Sequence, residues 1–114
     1  MKEGQKRRYY RLEPSEADPV LVHLDEKIYK AVDMSVTGIK IETHESLSKL
    51  EIGQVIDLTI ELPNVKPQPN IHTKAKICFM NSECIAFEYV RIESLSTRQI
   101  SDYLLQRSKN LGYI

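Results

Sequence analysis

The chain has 114 residues, with 16 Lys and Arg against 16 Asp and Glu, 41% hydrophobic residues and 28% charged ones. A chain of that size builds one hydrophobic core without disulfide or metal staples, and its composition excludes wholesale disorder. Zero net charge argues against a general nucleic-acid binder with a basic face, and no apolar run approaches the roughly 20 residues that a membrane span needs.

The charge is nevertheless uneven. Lys2, Lys6, Arg7, Arg8 and Arg11 face only Glu3 in the first eleven residues. We expect residues 1–12 to form a flexible N-terminal arginine segment and residues 13–114 a single domain. The segment leads into tyrosines and acids instead of an apolar signal core, so a cytoplasmic location is expected.

Beyond Pro14 and Pro19, Val20 to Leu24 reads as a strand, and Asp25-Glu26-Lys27 as a hairpin turn. Ile28 to Met34 continues the sheet. Gly38 interrupts it, and Ile39 to Glu42 resumes with clean alternation; a glycine there marks a bulge, a tight turn or the close approach of a ligand to backbone. Val55 to Leu62 is the clearest strand, with Ile56, Leu58, Ile60 and Leu62 on one face. Pro63 to Asn70 holds three prolines and reads as a loop. Ile71 to Ile77 alternates again, and Glu83 to Val90 pairs back after an Asn81-Ser82 turn. From about residue 94 the period becomes helical. Ile100, Tyr103, Leu104, Arg107 and Leu111 share a face, and Ser96 with Gln99 is placed to form a capping box. Six short strands followed by one helix predict an all-β fold, a small antiparallel barrel or sandwich covered by the helix.

Cys78 and Cys84 are the only cysteines. No histidine stands at ligand spacing from them, so the expectation is two reduced, partly buried thiols and no metal. His23, His44 and His72 are scattered and fit no catalytic template. Nothing resembles a nucleophile with its base or a paired acid and base, so no enzymatic activity is expected.

Two stretches carry chemistry. Arg7-Arg8-Tyr9-Tyr10-Arg11 places three guanidinium groups within five residues. Asp33-Met34-Ser35-Val36-Thr37-Gly38 places a carboxylate, a hydroxyl and a glycine at fixed offsets in a strand-like run. Arginine forks suit phosphate oxygens and the O6/N7 edge of guanine, while a carboxylate or hydroxyl accepts from guanine N–H groups. On a strand, Asp33 and Ser35 share one face, with Met34 and Val36 on the other. Gly38 tolerates positive φ and leaves room for a purine. These residues describe a receptor for a ligand that carries both phosphate and guanine.

The RxxxR pair (Arg7, Arg11) followed by DxSxxG (Asp33, Ser35, Gly38) resembles the PilZ family, bacterial receptor domains for the second messenger cyclic di-GMP. The resemblance extends over roughly Lys6 to Leu105 and suggests a stand-alone member. It implies a six-stranded antiparallel β-barrel with a C-terminal helix, with the DxSxxG segment on the outer surface and the arginine loop folding over it. It also implies that Arg7 and Arg11 grip the ligand, that Asp33 and Ser35 meet guanine edges or phosphate, and that Gly38 permits the turn. Relatives often set a bulky side chain of a later strand against a guanine face, and Phe79 is the candidate here. Arg8 matches no position the family requires; phosphate attraction or plain solvation would each account for it, and it is kept among the ligand-binding candidates. Cyclic di-GMP would be a ligand and not a cofactor. A downstream protein partner is expected to read the bound state, in control of motility, biofilm or virulence. Two rivals stand beside this reading: a PilZ-like interaction module that binds no nucleotide, and a barrel that binds single-stranded nucleic acid through its basic, tyrosine-bearing N-terminus.

Overall fold

The computed structural model describes residues 18–44, 49–63 and 70–110. The expectations for residues 1–12, for the Pro14 link and for Leu111 lie outside these described residues. Six strands follow one another, β1 (Leu21–Leu24), β2 (Lys27–Met34), β3 (Gly38–Glu42), β4 (Val55–Glu61), β5 (Asn70–Met80) and β6 (Cys84–Arg91), and then one helix, α1 (Ser94–Asn110). All pairings are antiparallel and the sheet closes on itself in the order β1-β2-β3-β6-β5-β4. This is the expected six-stranded barrel with a C-terminal helix.

Closure follows from the alternation. Val22 and Leu24, Ile39 and Ile41, Leu58 and Ile60, Ile71, Ala75 and Ile77, and Ile85 and Phe87 all point inward and are buried. Each fully buried Leu, Ile or Phe contributes about 1.5–3 kcal/mol relative to an exposed one. Closing the barrel leaves no unpaired edge to template aggregation. The tight β1–β2 hairpin pairs Leu24 with Lys27, so Lys27 belongs to the strand. Asp25 takes the left-handed conformation, φ 56°, that such a turn demands and that Asp tolerates. Ahead of β4, Gly53 sits at φ 94° and donates its N–H to the Ile77 carbonyl at 2.7 Å, a backbone that favours glycine.

The helix adds Ile100, Tyr103 and Leu104 to the same core cluster. Ser108 is also fully buried, whereas Arg107 is only half-buried. The capping box expected at Ser96 and Gln99 does not form. The helix starts at Ser94, so the Glu93 carbonyl receives the Thr97 N–H at 3.0 Å and Ser96 already lies in the first turn. Burial raises the Tyr103 phenol above its ordinary range, the Arg107 charge opposes that, and the Asp18 charge adds to it.

The β1–β4 and β4–β5 ladders are regular, whereas the β2–β3 and β5–β6 ladders are not. Between Ala31 and Asp33, β2 holds one residue more than β3, and between Ile77 and Phe79, β5 holds one more than β6. The extra residues are Val32 and Cys78, and a third, Val90, lies on β6 between Tyr89 and Arg91, opposite Ala75 and Lys74. Cys78 is exposed as a result, against the expectation of a partly buried thiol, while Cys84 is half-buried; both are free.

Candidate functional site

A strand alternates faces, so two residues that are two apart point the same way. Ala31 and Ile77 are inside the barrel. By simple alternation Asp33 and Phe79 would be inside too. The extra residue in each strand reverses the parity: Met34 turns inward at 1% exposure, and Asp33 turns outward. On β5, Phe79 emerges at 48% exposure. A bulge that re-aims one side chain is a recurring device beside binding sites.

The registers then place these residues in a line. Asp33 faces Lys40, Lys40 faces Ala86, and Ala86 faces Phe79. Directly opposed residues of antiparallel strands share a face. Asp33, Lys40, Ala86 and Phe79 thus cross β2, β3, β6 and β5 in one outward row, roughly 14 Å wide at the usual strand spacing. The next outward row runs from Gly38 through Glu88 to Lys76. One end of the face is acidic, its middle carries the Lys40 ammonium with the small Ala86 beside it, and its far end is aromatic. Such a surface offers a flat seat for a ring and a cation for an anion.

The turn between β2 and β3 borders the row. The Ser35 N–H donates to the Gly38 carbonyl at 2.9 Å. The Thr37 N–H donates to Ser35 Oγ at 3.2 Å, and the two hydroxyls lie 3.0 Å apart. Ser35 is 7% exposed, so its side chain stabilises its own turn. Thr37 is the exposed hydroxyl of the pair, and its carbonyl is fixed by the Tyr89 N–H at 2.9 Å. Val36 packs against the core cluster alongside Met34.

Gly38 is required for a reason other than the expected one. Its φ is not positive; Gly53 is the positive-φ glycine among the described residues. Gly38 is an extended residue paired with Glu88, and a Cβ on it would run into the Phe87 carbonyl oxygen. It permits two strands to approach, not a left-handed turn.

Of the candidates from sequence, the structure brings Asp33, Ser35, Gly38 and Phe79 to one side of the barrel. Arg7, Arg8 and Arg11 lie outside the described residues. Sequence reasoning missed Lys40 and Thr37. The Ile39-Lys40-Ile41 alternation marked Lys40 as outward, but only the register shows that it stands between Asp33 and Ala86. Tyr89 was also missed. Its hydroxyl is buried without a hydrogen-bond partner among the described residues, and burial pushes its phenol well above the ordinary tyrosine range.

Elsewhere, an open cleft of about 530 Å³ lies at the opposite end of the β2–β3 hairpin, lined by Lys27, Ile28, Tyr29, Lys30, Glu42 and His44. His72, Thr59 and His23 line up across β5, β4 and β1. His23 contacts Glu61 at 2.7 Å and His72 contacts Thr59 at 2.9 Å. Among the described residues no cluster of His, Cys, Asp and Glu is arranged to hold a metal ion, and no helix is long and apolar enough to cross a membrane.

Comparison with solved structures agrees with this architecture. The Bacillus subtilis inhibitor of motility, MotI/DgrA, superposes with a TM-score of 0.76 at 23% identity, over 93% of this chain and 53% of that one. The PilZ domain of Escherichia coli YcgR, solved with c-di-GMP, gives 0.69 at 15% identity over 95% of this chain and 98% of its own. The K. pneumonia MrkH–c-di-GMP complex gives 0.71 at 16% identity, over 96% of this chain and 55% of that one. The chain thus spans about half the length of MotI and of MrkH, and at these identities the likeness is one of fold. No curated protein matches the chain. The sequence model of the PilZ domain matches residues 5–106, a span that takes in both the arginine pair and the Asp33–Gly38 turn. The chain belongs to the PilZ domain family.

Proposed function

We propose that this protein is a receptor for cyclic di-GMP and that the outward row from Asp33 to Phe79 is the platform on which the ligand sits. The observation that carries the reading is where the arginine segment joins the barrel. The Ala31 N–H donates to the Val20 carbonyl at 2.9 Å, so the chain enters β1 beside the stretch of β2 that leads into Asp33. From Asp18, Arg11 is seven residues away and Arg7 eleven. At the length of an extended chain those separations reach roughly 25 and 40 Å, more than the width of the platform. Both forks therefore come within range of a ligand on it.

The roles divide by chemistry. Arg7 and Arg11 supply charge-assisted, bidentate bonds to phosphate oxygens or to a guanine O6/N7 edge, with Arg8 adding positive potential. Asp33 accepts from guanine N–H groups. Phe79 offers a ring for stacking, and Lys40 offsets the charge that Asp33 presents to an anion. Ser35 holds the turn, and Thr37 presents an exposed hydroxyl beside the platform. The site binds and does no chemistry.

Ordering of residues 1–12 over the bound ligand would be the output, read by a downstream protein that controls motility, biofilm formation or virulence. Unchanged amide exchange in those residues on ligand addition would rule that relay out. Support for the ligand itself comes from the intact RxxxR and DxSxxG motifs and from the c-di-GMP complexes of YcgR and MrkH. Isothermal titration calorimetry with cyclic di-GMP, against GTP and cyclic di-AMP, is the test. Binding of the first alone is expected. No heat at several temperatures from folded protein would leave the interaction module as the better reading.

A further inference from the structure

Helix α1 buries one face in the barrel, and the opposite face carries a pattern of its own. At about 100° per residue, Leu95, Arg98, Asp102 and Leu105 fall within one narrow stripe, directly opposite Ile100 and Leu104, and Lys109 extends it by one turn, beyond the overlap of a two-fold pair centred on Ile100. All four are exposed, Leu95 at 65% and Leu105 at 37%. Neither Arg98 nor Asp102 forms an ion pair among the described residues, although they stand four apart on the same helix.

The spacing of three, four and three is that of successive a and d positions of a heptad. The stripe is also complementary to itself when reversed. About a two-fold axis at the level of Ile100, an antiparallel copy of the helix sets Leu95 against the partner's Leu105 and Arg98 against the partner's Asp102. The two-fold repeats both contacts, as an isologous interface requires. A parallel copy would instead stack Arg98 on Arg98 and Asp102 on Asp102. Because the stripe faces away from the barrel, the two barrels of the antiparallel pair lie on opposite outer sides of the two helices, which would stand roughly 8–10 Å apart.

We infer that this face of α1 is a homodimer contact, an antiparallel helix pair with Leu95–Leu105 layers at the ends and reciprocal Arg98–Asp102 pairs in the middle. The occupant is a second copy of this chain, because the order apolar, basic, acidic, apolar reads as its own complement in the reverse direction. Four side chains per copy make a small interface, so association is weak and concentration-dependent. The contact lies on the helix and not on the Asp33–Phe79 platform, and it does not depend on any ligand.

Sedimentation velocity of the full chain, from about 10 µM to 1 mM, is the experiment. The wild-type chain is expected to shift from monomer towards dimer across that range. Arg98→Asp and Asp102→Arg should each weaken self-association by at least about tenfold, since each variant alone meets two like-charge pairs. An equimolar mixture of the two should dimerise again, because each variant supplies what the other lacks. Leu105→Glu should be monomeric throughout. All these positions are exposed, and circular dichroism confirms that each variant is folded. A wild-type chain that stays monomeric at about 1 mM overturns the inference, as do charge variants that associate like wild type or a mixture that remains monomeric. Capture of an unrelated partner by this face, with no self-association, would overturn it equally.

Discussion

The two halves of the barrel are built on different rules. Between β4 and β5 seven consecutive residues pair without interruption, from Val55 with Lys76 to Glu61 with Asn70. Across β2, β3, β6 and β5 the ladder is broken at Val32, at Cys78 and at Val90. The regular half turns every alternate apolar residue inward and leaves outside a mixed polar surface, including the Lys74–Asp57 ion pair at 2.9 Å and the bonded histidines. The broken half gives up three ladder positions and places an acid and an aromatic on the outer surface. Regularity serves the core, and irregularity shapes the face that we propose as the ligand platform.

That contrast separates stability from binding. Leu58, 2% exposed in the regular half, should cost about 2–5 kcal/mol of stability when replaced by alanine, measured by urea denaturation. A loss below 1 kcal/mol would mean that this half is not where the core is held. Arg11→Ala should do the reverse, leaving stability alone and weakening cyclic di-GMP binding by about 2–4 kcal/mol in calorimetry, through the loss of charge-assisted bonds. Gly38→Ala belongs to both classes. Its Cβ meets the Phe87 carbonyl, so we expect a stability loss of about 1–3 kcal/mol from overpacking between β3 and β6.

Phe79→Ala sharpens the comparison because the side chain is half exposed. Its stability should stay within about 0.5 kcal/mol of wild type, while affinity drops by about 1–3 kcal/mol if the ring stacks on a guanine. Equal affinity for wild type and variant would remove Phe79 from the site. The smallest effect is expected at Tyr89, whose buried hydroxyl lacks a partner among the described residues. Tyr89→Phe should stabilise the fold by about 1 kcal/mol, the desolvation cost of an unmade hydrogen bond. Burial raises the Tyr89 phenol above its ordinary value of 10.0, so the folded state keeps the proton where the unfolded chain starts to lose it. The contribution of that tyrosine to stability is therefore complete below pH 10 and declines as the pH rises through the folded-state value. A Tyr89→Phe variant should lose less stability than wild type on that alkaline limb.

The regular half was legible in the sequence because period-two alternation is a local signal. Ile56, Leu58, Ile60 and Leu62 point to one side in a single strand, and no partner is needed to see it. The DxSxxG segment was legible as a motif, and its site as a surface. The extra residues were not. Neither Val32 nor Cys78 is a glycine or proline, and a bulge exists only relative to a partner strand, so nothing along β2 or β5 alone reveals it. The same blindness hid Lys40 between Asp33 and Ala86, and it assigned Gly38 a turn conformation when the constraint comes from Phe87 across the sheet. Ser108 was missed for another reason: a small polar residue adds nothing to an apolar periodicity, yet it is fully buried in the helix face.

The claim at the centre of this account is that the broken face, and not the regular one, receives cyclic di-GMP. Backbone amide chemical-shift mapping during titration with the ligand tests it directly. Perturbations concentrated at Asp33 to Lys40, Lys76 to Met80 and Cys84 to Glu88, with the β1–β4 surface unmoved, are what the account predicts. Shifts centred on His23, Thr59 and His72, or none at saturating ligand, would contradict it.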